Sequence, residues 1–169
     1  MANAAIATLV MQMTANETIG AGSPDINPPY GQSVVHNGLN LNATPLNANT
    51  VPDVMQCSYG TYTLSSGTIN VDMTNLQGTN GATVNGTGLR VIAVLINVPS
   101  ANGAIITITP GVSNGYTLFG TSSSLRFDPG DYDMIYKQTT SPAISSSAKI
   151  LTLTGTGSSD NLEIGFLLG

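Results

Sequence analysis

Three aspartates, Asp128, Asp131 and Asp133, lie within six positions of one another in a chain that has only nine acidic residues. Closely spaced carboxylates can hold a calcium ion or form the acid and base of a catalytic pair. A calcium loop of the EF-hand type needs acids at alternate positions and a glutamate at the twelfth. Counted from Asp128, the twelfth position is Thr139, so the cluster matches that loop poorly.

The same segment has the composition of a tight turn. Pro129 presets the φ angle of the second turn position, and Gly130 tolerates the positive φ of the third. The Asp128 carboxylate is then expected to accept a hydrogen bond from an amide of the turn. We therefore predict a hairpin or a corner between strands at residues 128–131. The three aspartates remain candidate metal ligands, but we expect no bound metal and no cofactor.

The sequence GVSNG at residues 111–115 matches the Gly-x-Ser-x-Gly pattern of hydrolase nucleophiles. In those enzymes the serine lies between a strand and a helix, and its acid and histidine follow it in the chain. Here strand-like sequences flank Ser113 on both sides, and the only histidine, His36, precedes it. The pattern therefore predicts a hairpin loop, and a serine hydrolase is the least favoured function that we consider.

Cys57 is the only cysteine, so the chain has no internal disulfide. One cysteine and one histidine are too few ligands for a usual zinc site. A nucleophilic pair of Cys57 with His36 stays open, since distance in sequence does not exclude it. Met55, Cys57 and Tyr59 share one face of a predicted strand, which favours Cys57 as a small core residue. We therefore assign no catalytic residue.

The charge content excludes two classes of partner. Only 8% of the residues are charged, and the net charge is −5. The four strong bases, Arg90, Arg126, Lys137 and Lys149, are scattered and form no basic stripe. A chain of this kind is not expected to bind nucleic acid or an anionic membrane surface. A neutral surface rich in hydroxyl and amide groups suits dense packing beside copies of itself.

The N-terminal region gives no targeting signal. Its apolar stretch at residues 4–13 is too short to span a bilayer and lacks the Lys or Arg that opens a secretory signal. We therefore expect the chain to be made and folded in the cytoplasm.

Hydrophobic residues alternate with a period of two through most of the chain, in segments that turn residues separate. Asn-Gly, a pair typical of tight hairpin turns, occurs five times. This pattern predicts nine or ten short strands in an antiparallel all-β sandwich of the jelly-roll type, with helix confined to short turns. The strands are expected in LRVIAVLIN, AIITIT, YTLF, SLRFD, YDMIYK, KILTLT, NLEIGFLLG, VMQCSYGTYTL and TINVDMT.

The first third of the chain breaks this pattern. Residues 14–53 are rich in proline and asparagine and lack sustained alternation, so residues 1–53 are interpreted as an N-terminal strand with an arm or wrapped loop and residues 54–169 as the sandwich. The segment is too apolar for a free linker. We therefore expect it to contact another copy of the chain, in a homo-oligomer that we predict to be a trimer. The alternative is a loop folded over its own sandwich in a monomer. The candidate interface residues are Ile19, Ile26, Tyr30, Val34, Val35, Leu39, Leu41 and Leu46.

The second half of the chain resembles small virion proteins encoded beside the capsid gene in tailed bacteriophages. The similar features are the LRVIAVLIN strand, the ITITPGVSNGYTLFG stretch, the DPGD turn and the C-terminal strand, all between residues 86 and 169. The resemblance implies a decoration, or cement, protein on the outer capsid surface of the virion. It also implies that the partners are the major capsid protein and further copies of the chain, often as a homotrimer.

A carbohydrate- or receptor-binding sandwich, such as a module of a tail fibre or an adhesin, is the main alternative. Sugar sites favour exposed aromatic side chains, and the candidates are Tyr30, Tyr59, Tyr62 and Tyr116. The absence of tryptophan weighs against this function. Two or more tyrosines on one open, concave face of the folded protein would favour it.

Overall fold

A computed structural model describes residues 7–18, 33–46, 49–78, 82–137 and 140–169. Side chains are described in these ranges from Leu46 onward. The described ranges contain β-strands and no helix, which confirms the all-β prediction. The strands are β1 (Ala7–Thr18), β2 (Ser33–Leu46), β3 (Gln56–Thr63), β4 (Thr68–Asp72), β5 (Leu76–Gln77), β6 (Thr83–Val84), β7 (Val91–Asn97), β8 (Ile106–Pro110), β9 (Leu125–Phe127), β10 (Tyr132–Tyr136), β11 (Ile150–Gly155) and β12 (Asn161–Leu168).

Eight of these strands form two four-stranded sheets. Sheet I has the order β10-β7-β12-β3, and sheet II has the order β4-β11-β8-β9. Every pair of neighbours is antiparallel. Four of the pairs are nested along the chain, because β3 pairs with β12, β4 with β11, β7 with β10 and β8 with β9. These eight strands therefore fold as one long hairpin whose successive pairs alternate between the two sheets.

The main core lies between the two sheets. Strand β12 shows how the sequence builds it, since Leu162, Ile164, Phe166 and Leu168 are buried while the residues between them are only half-buried. This period of two is the signature of a strand with one face on a core. Sheet II contributes the alternating residues of β8 and β11, which pack in the same cluster. Both sheets thus bury one face against the other.

One predicted strand is wrong. YTLF at residues 116–119 pairs with no strand as a continuous ladder and instead enters a turn, in which the Gly120 amide donates to the Thr117 carbonyl at 3.1 Å. Gly120 has a φ of 114°, a value that favours glycine. Tyr116 and Leu118 are nevertheless buried. Their alternation comes from filling the core beside the sheets, and alternation alone does not distinguish this from strand pairing.

The description of residues 14–53 as poor in strands is also wrong for much of the segment. β2 pairs with β1 in an antiparallel hairpin from Ala7↔Leu46 to Thr18↔Ser33, with two register shifts. The backbone of β2 finds its hydrogen-bond partners in β1, and this pairing does not require hydrophobic residues at alternate positions. The sequence pattern therefore missed β2. Among the described strands, β1 and β2 pair with each other and with neither sheet.

The hairpin joins the sandwich at a second, smaller core on the outward face of sheet I. Leu46, the last residue of β2, is buried there with Val54, Ile92 and Ala93. The half-buried side chains of β10 and β12 that pack around them are Met134, Tyr136 and Leu167. Leu46 was predicted as an interface residue, and this burial within its own chain corrects that prediction.

Candidate functional site

The aspartate segment forms the predicted turn between β9 and β10. The Asp131 amide donates to the Asp128 carbonyl at 3.0 Å, and Gly130 has a φ of 94°. The carboxylate that caps the turn is that of Asp131, which accepts from the Asp128 amide at 2.7 Å. The expectation that Asp128 would be the capping side chain is therefore wrong. Asp131 is the last residue of the turn, and its side chain reaches back to the Asp128 amide.

The three aspartates do not converge on one point. Asp128 forms an exposed ion pair of 3.4 Å with Arg126, and Asp133 accepts from the Met134 amide at 2.7 Å. Across the described ranges, no group of three or more histidine, cysteine, aspartate or glutamate side chains is placed to hold a metal ion. Each of the three carboxylates has a local partner of its own.

We expect Asp131→Ala to lower the free energy of unfolding by about 1 kcal/mol, because it leaves the Asp128 amide without its capping acceptor. Asp128→Ala is the matched control. It removes only an exposed ion pair, and its cost should stay below about 0.5 kcal/mol. Urea denaturation followed by circular dichroism measures both. EDTA and calcium should leave the melting temperature of the wild type unchanged, and a calcium-dependent rise would contradict the assignment as a turn.

The GVSNG sequence is the predicted loop. Asn114, with a φ of 54°, accepts from the amides of Lys149 and Ile150 at 2.8 Å each. Ser113 is exposed. The residues that follow form an isolated bridge between Gly115 and Ile150, so the strand–turn–helix context of a nucleophile elbow is missing. His36 lies in β2 opposite Ala15.

Beside this loop, Lys149 lines a cleft of about 520 Å³ and forms an ion pair of 2.8 Å with Asp72. Burial by itself raises the pKa of Asp72, but the hydrogen bonds from Lys149 and Thr74 outweigh it and lower the pKa below its usual value. The carboxylate therefore stays ionised and paired at neutral pH. Because the Lys149 ammonium is already bound to this carboxylate, we do not assign the cleft an anion-binding role.

Strand β3 faces the opposite way from the prediction. Its buried positions are Ser58 and Gly60, whereas Met55 and Tyr59 are 40% and 44% exposed and Cys57 is half-buried. The assignment of Cys57 to the core is therefore wrong. At Gly60 the ring of Tyr62, which packs against the main core, fills the space above the backbone. The Ser58 hydroxyl donates to the Gln77 carbonyl at 2.8 Å.

Two of the four candidate tyrosines for sugar binding belong to the main core or pack against it. Tyr116 is fully buried, its hydroxyl donates to the Pro142 carbonyl at 2.8 Å, and burial raises its pKa to about 12. Tyr62 packs against the main core. Tyr30 lies outside the described residues. Tyr59 is exposed, and the structure adds a residue that the sequence interpretation did not include, Tyr132, which is 65% exposed.

Tyr59 and Tyr132 belong to one surface, which we call the tyrosine face and define by five residues of sheet I: Tyr59, Asn97, Tyr132, Glu163 and Gly165. Residues that pair directly across neighbouring antiparallel strands share a face. Tyr132 pairs with Asn97, Asn97 pairs with Glu163, and Gly165 pairs with Tyr59. The inward neighbours on β12 are buried in the main core, so the tyrosine face is the outward one.

Hydrogen bonds hold the polar groups of the tyrosine face in place. The Tyr59 hydroxyl and the Asn97 amide nitrogen each donate to Glu163 Oε2 at 2.8 Å. The bond to Glu163 raises the pKa of Tyr59, and the two bonds together lower the pKa of Glu163. At neutral pH the face therefore presents an ionised carboxylate between two phenol rings.

The sequence pattern indicates only part of this site. The alternation in YDMIY places Tyr132, Met134 and Tyr136 on one side of a strand. It does not show that β10 and β3 lie in the same sheet, three strand intervals apart, with Glu163 between them. That arrangement follows from the nested pairing of the strands.

Comparison of the chain with protein-family models, curated proteins and solved structures found no significant match in any of the three. The described part of the chain includes no helix with the length and apolar character needed to cross a membrane.

Proposed function

We propose that the chain is a non-enzymatic structural protein of a tailed-bacteriophage virion, a decoration or cement protein on the outer surface of the capsid. In this role it binds the major capsid protein and associates with itself, most simply as a homotrimer. The proposal rests on the resemblance of residues 86–169 and on the form of the N-terminal hairpin. It extends to a jelly-roll fold for the sandwich, which the nested strand pairs and their alternation between two sheets support.

The observation that carries the proposal is the β1–β2 hairpin. Its strands have 12 and 14 residues, so the ladder is roughly 40 Å long at about 3.3 Å per residue. An isolated two-stranded hairpin is marginally stable in water and needs a third strand or a packed surface. Since the described strands of the sandwich do not pair with it, a second chain is the natural source of that surface.

The hairpin has a fixed root. Leu46 is only 1% exposed, and Val54, on the other side of the connection to β3, is fully buried in the same small core. These contacts attach the end of the hairpin to the outward face of sheet I. A rooted hairpin suits an arm that reaches a defined neighbour, because less conformational freedom is lost when it docks.

The predicted interface residues are placed as follows. Val34, Val35, Leu39 and Leu41 lie in β2, which we propose as the strand that contacts a neighbouring subunit or the capsid protein. Ile19, Ile26 and Tyr30 lie outside the described residues. On a lattice, many weak contacts of this kind act together, so each can be modest. The low charge of the chain avoids repulsion between close copies.

The test is a double variant, Asn40→Pro with Leu41→Pro. Adjacent amides of a strand point to opposite sides, so one of the two prolines removes a hydrogen bond of the β1–β2 ladder. Sedimentation velocity should show the wild type as a trimer and the variant as a monomer. Co-sedimentation with capsids assembled without this chain should fall by at least about tenfold, the effect of roughly 1.4 kcal/mol.

The control is Asn40→Ala with Leu41→Ala, which keeps both amides and should assemble far better than the proline variant. Near-wild-type circular dichroism would show that the sandwich of the proline variant is folded. A proline variant that still forms trimers and still binds capsids would contradict the role of the hairpin. A particle map from cryo-electron microscopy without this chain on the capsid surface would refute the decoration function itself.

A further inference from the structure

The two exposed tyrosines of the sandwich lie on the same outward face. Five large apolar side chains are prominently exposed in the described ranges, and the aromatic ones among them are Tyr59 and Tyr132. Strands β10 and β3, which carry them, are separated by three strand intervals, or roughly 14 Å between backbones. An aromatic ring at each side of such a span matches the width of a short oligosaccharide better than that of a single small ion.

Glu163 stands between the tyrosines with unused acceptor capacity. Both of its hydrogen bonds, from Tyr59 and Asn97, end on Oε2. Within the described part of the chain, Oε1 has no hydrogen-bond donor. An ionised carboxylate only accepts hydrogen bonds, and sugar hydroxyls donate them. Because Tyr59 and Asn97 already hold the carboxylate in place, a ligand would find this acceptor in a fixed orientation.

Gly165 leaves the centre of the tyrosine face without a side chain. It lies beside Tyr59 in the pairing register, and a Cβ added there would stand 3.5 Å from the Tyr59 ring and 3.6 Å from Leu95. These are ordinary contact distances, so the fold tolerates a side chain at this position. Because Gly165 has no side chain, nothing projects from β12 between Tyr59 and Leu95.

We propose that the tyrosine face is a binding site for neutral glycans, in which Tyr59 and Tyr132 pack against sugar rings and Glu163 accepts hydrogen bonds from sugar hydroxyls. This inference goes beyond the proposed structural role and rests on residues at the other end of the outward face from the hairpin root. Ala93, in that root, and Asn97 are four residues apart on β7, a distance of roughly 13 Å.

The charge of the face selects this ligand class over others. An anionic ligand would meet the Glu163 carboxylate on a chain of net charge −5. A flat apolar protein surface would bury that carboxylate without a counter-charge, at a high desolvation cost. A sugar supplies both an apolar ring face and hydroxyl donors, and it leaves part of the carboxylate in contact with water. The mixture of tyrosine, amide and carboxylate therefore suits a polyol.

The experiment titrates the full chain with maltohexaose, cellohexaose, chitohexaose and a galactohexaose, using two-dimensional amide NMR and calorimetry. At least one of these sugars should shift the amide signals of Tyr59, Tyr132 and Glu163. Tyr132→Ala should weaken its binding by at least about tenfold, since a central aromatic contact is commonly worth more than 1.4 kcal/mol. Glu163→Gln keeps the shape but leaves one acceptor oxygen, and it should also weaken binding.

Three controls test whether the result is specific. Val112→Ala removes a fully exposed side chain on the GVSNG loop, outside sheet I, and should bind like the wild type. Tyr59→Phe keeps the ring but loses the bond to Glu163, so it should bind better than a Tyr59→Ala variant. The Asn40→Pro, Leu41→Pro variant should retain sugar binding even if it no longer assembles, which separates this site from the decoration function.

No signal shift at the tyrosine face with any of the four sugars would overturn the proposal. So would equal binding by the wild type and Tyr132→Ala. A Tyr132→Ala variant that instead lost trimer formation, with no sugar effect in the wild type, would assign the face to contact between copies of the chain.

Discussion

Phe166→Ala is expected to lower the free energy of unfolding by about 3–5 kcal/mol, the usual cost of deleting a buried aromatic ring. Phe166 is 1% exposed and lies on β12, which pairs with β3 on one side and β7 on the other. Strands fixed on both sides have little room to collapse into the cavity. Because small domains are stable by only about 5–15 kcal/mol, this single change removes much of the total.

Leu167→Ala is the matched control for Phe166. It lies one position further on the same strand, points to the outward face, and is half-buried against the small core. We expect it to cost about 1 kcal/mol, near the centre of the distribution for point variants. Urea denaturation of both variants, followed by circular dichroism, gives the comparison. Equal costs at the two positions would mean that the outward face carries as much of the core as the inward one.

The residues of β12 explain why the fold class could be predicted from the sequence. In NLEIGFLL large apolar residues occupy every second position from Leu162 to Leu168, with Leu167 as the one exception, and a period of two in a segment of this length has no helical interpretation. The same alternation is present in β8 and β11, which lie where the sequence predicts strands. Alternation is a local property, so a single sequence is enough to detect it.

Strand β3 shows where alternation fails. In QCSYGTYT both sets of alternate residues mix small, polar and aromatic side chains, so the pattern does not decide which set faces inward. At the inward position Gly60, the Tyr62 ring occupies the space that a side chain would fill. Which small residue lies beside a large side chain depends on the three-dimensional packing of the core. The spacing of hydrophobic residues in the sequence does not show it. The error over Cys57 follows directly from it.

The tyrosine face depends on long-range pairing in the same way. Its residues come from β3, β7, β10 and β12, which span most of the sandwich sequence. Each residue could be assigned to a strand, but the strand order of sheet I brings Tyr59, Glu163 and Tyr132 together. Strand order is set by the global packing of two sheets, so a candidate site of this kind is visible only in the folded chain.

Gly115→Ala is expected to destabilise the protein by about 1–3 kcal/mol or more, the usual range for a side chain forced into filled space. A Cβ at this position would overlap the Gly111 carbonyl oxygen and lie 3.1 Å from the Gly111 amide nitrogen. Both contacts are with backbone, which cannot rotate away as a side chain could. The loop would have to open, and its hydrogen bonds from the amides of Gly111 and Tyr116 to the Ile150 carbonyl, at 2.9 and 2.7 Å, would weaken.

The control is Ser113→Ala in the same loop, which should change stability by no more than about 0.5 kcal/mol because the serine is exposed. This pair of variants tests what the Gly-x-Ser-x-Gly pattern means in this chain. If the glycines are present so that two backbone segments can approach closely, the cost falls on Gly115 and not on Ser113. A large effect of Ser113→Ala, or a hydrolytic activity that it abolishes, would show instead that the serine is the reason for the motif.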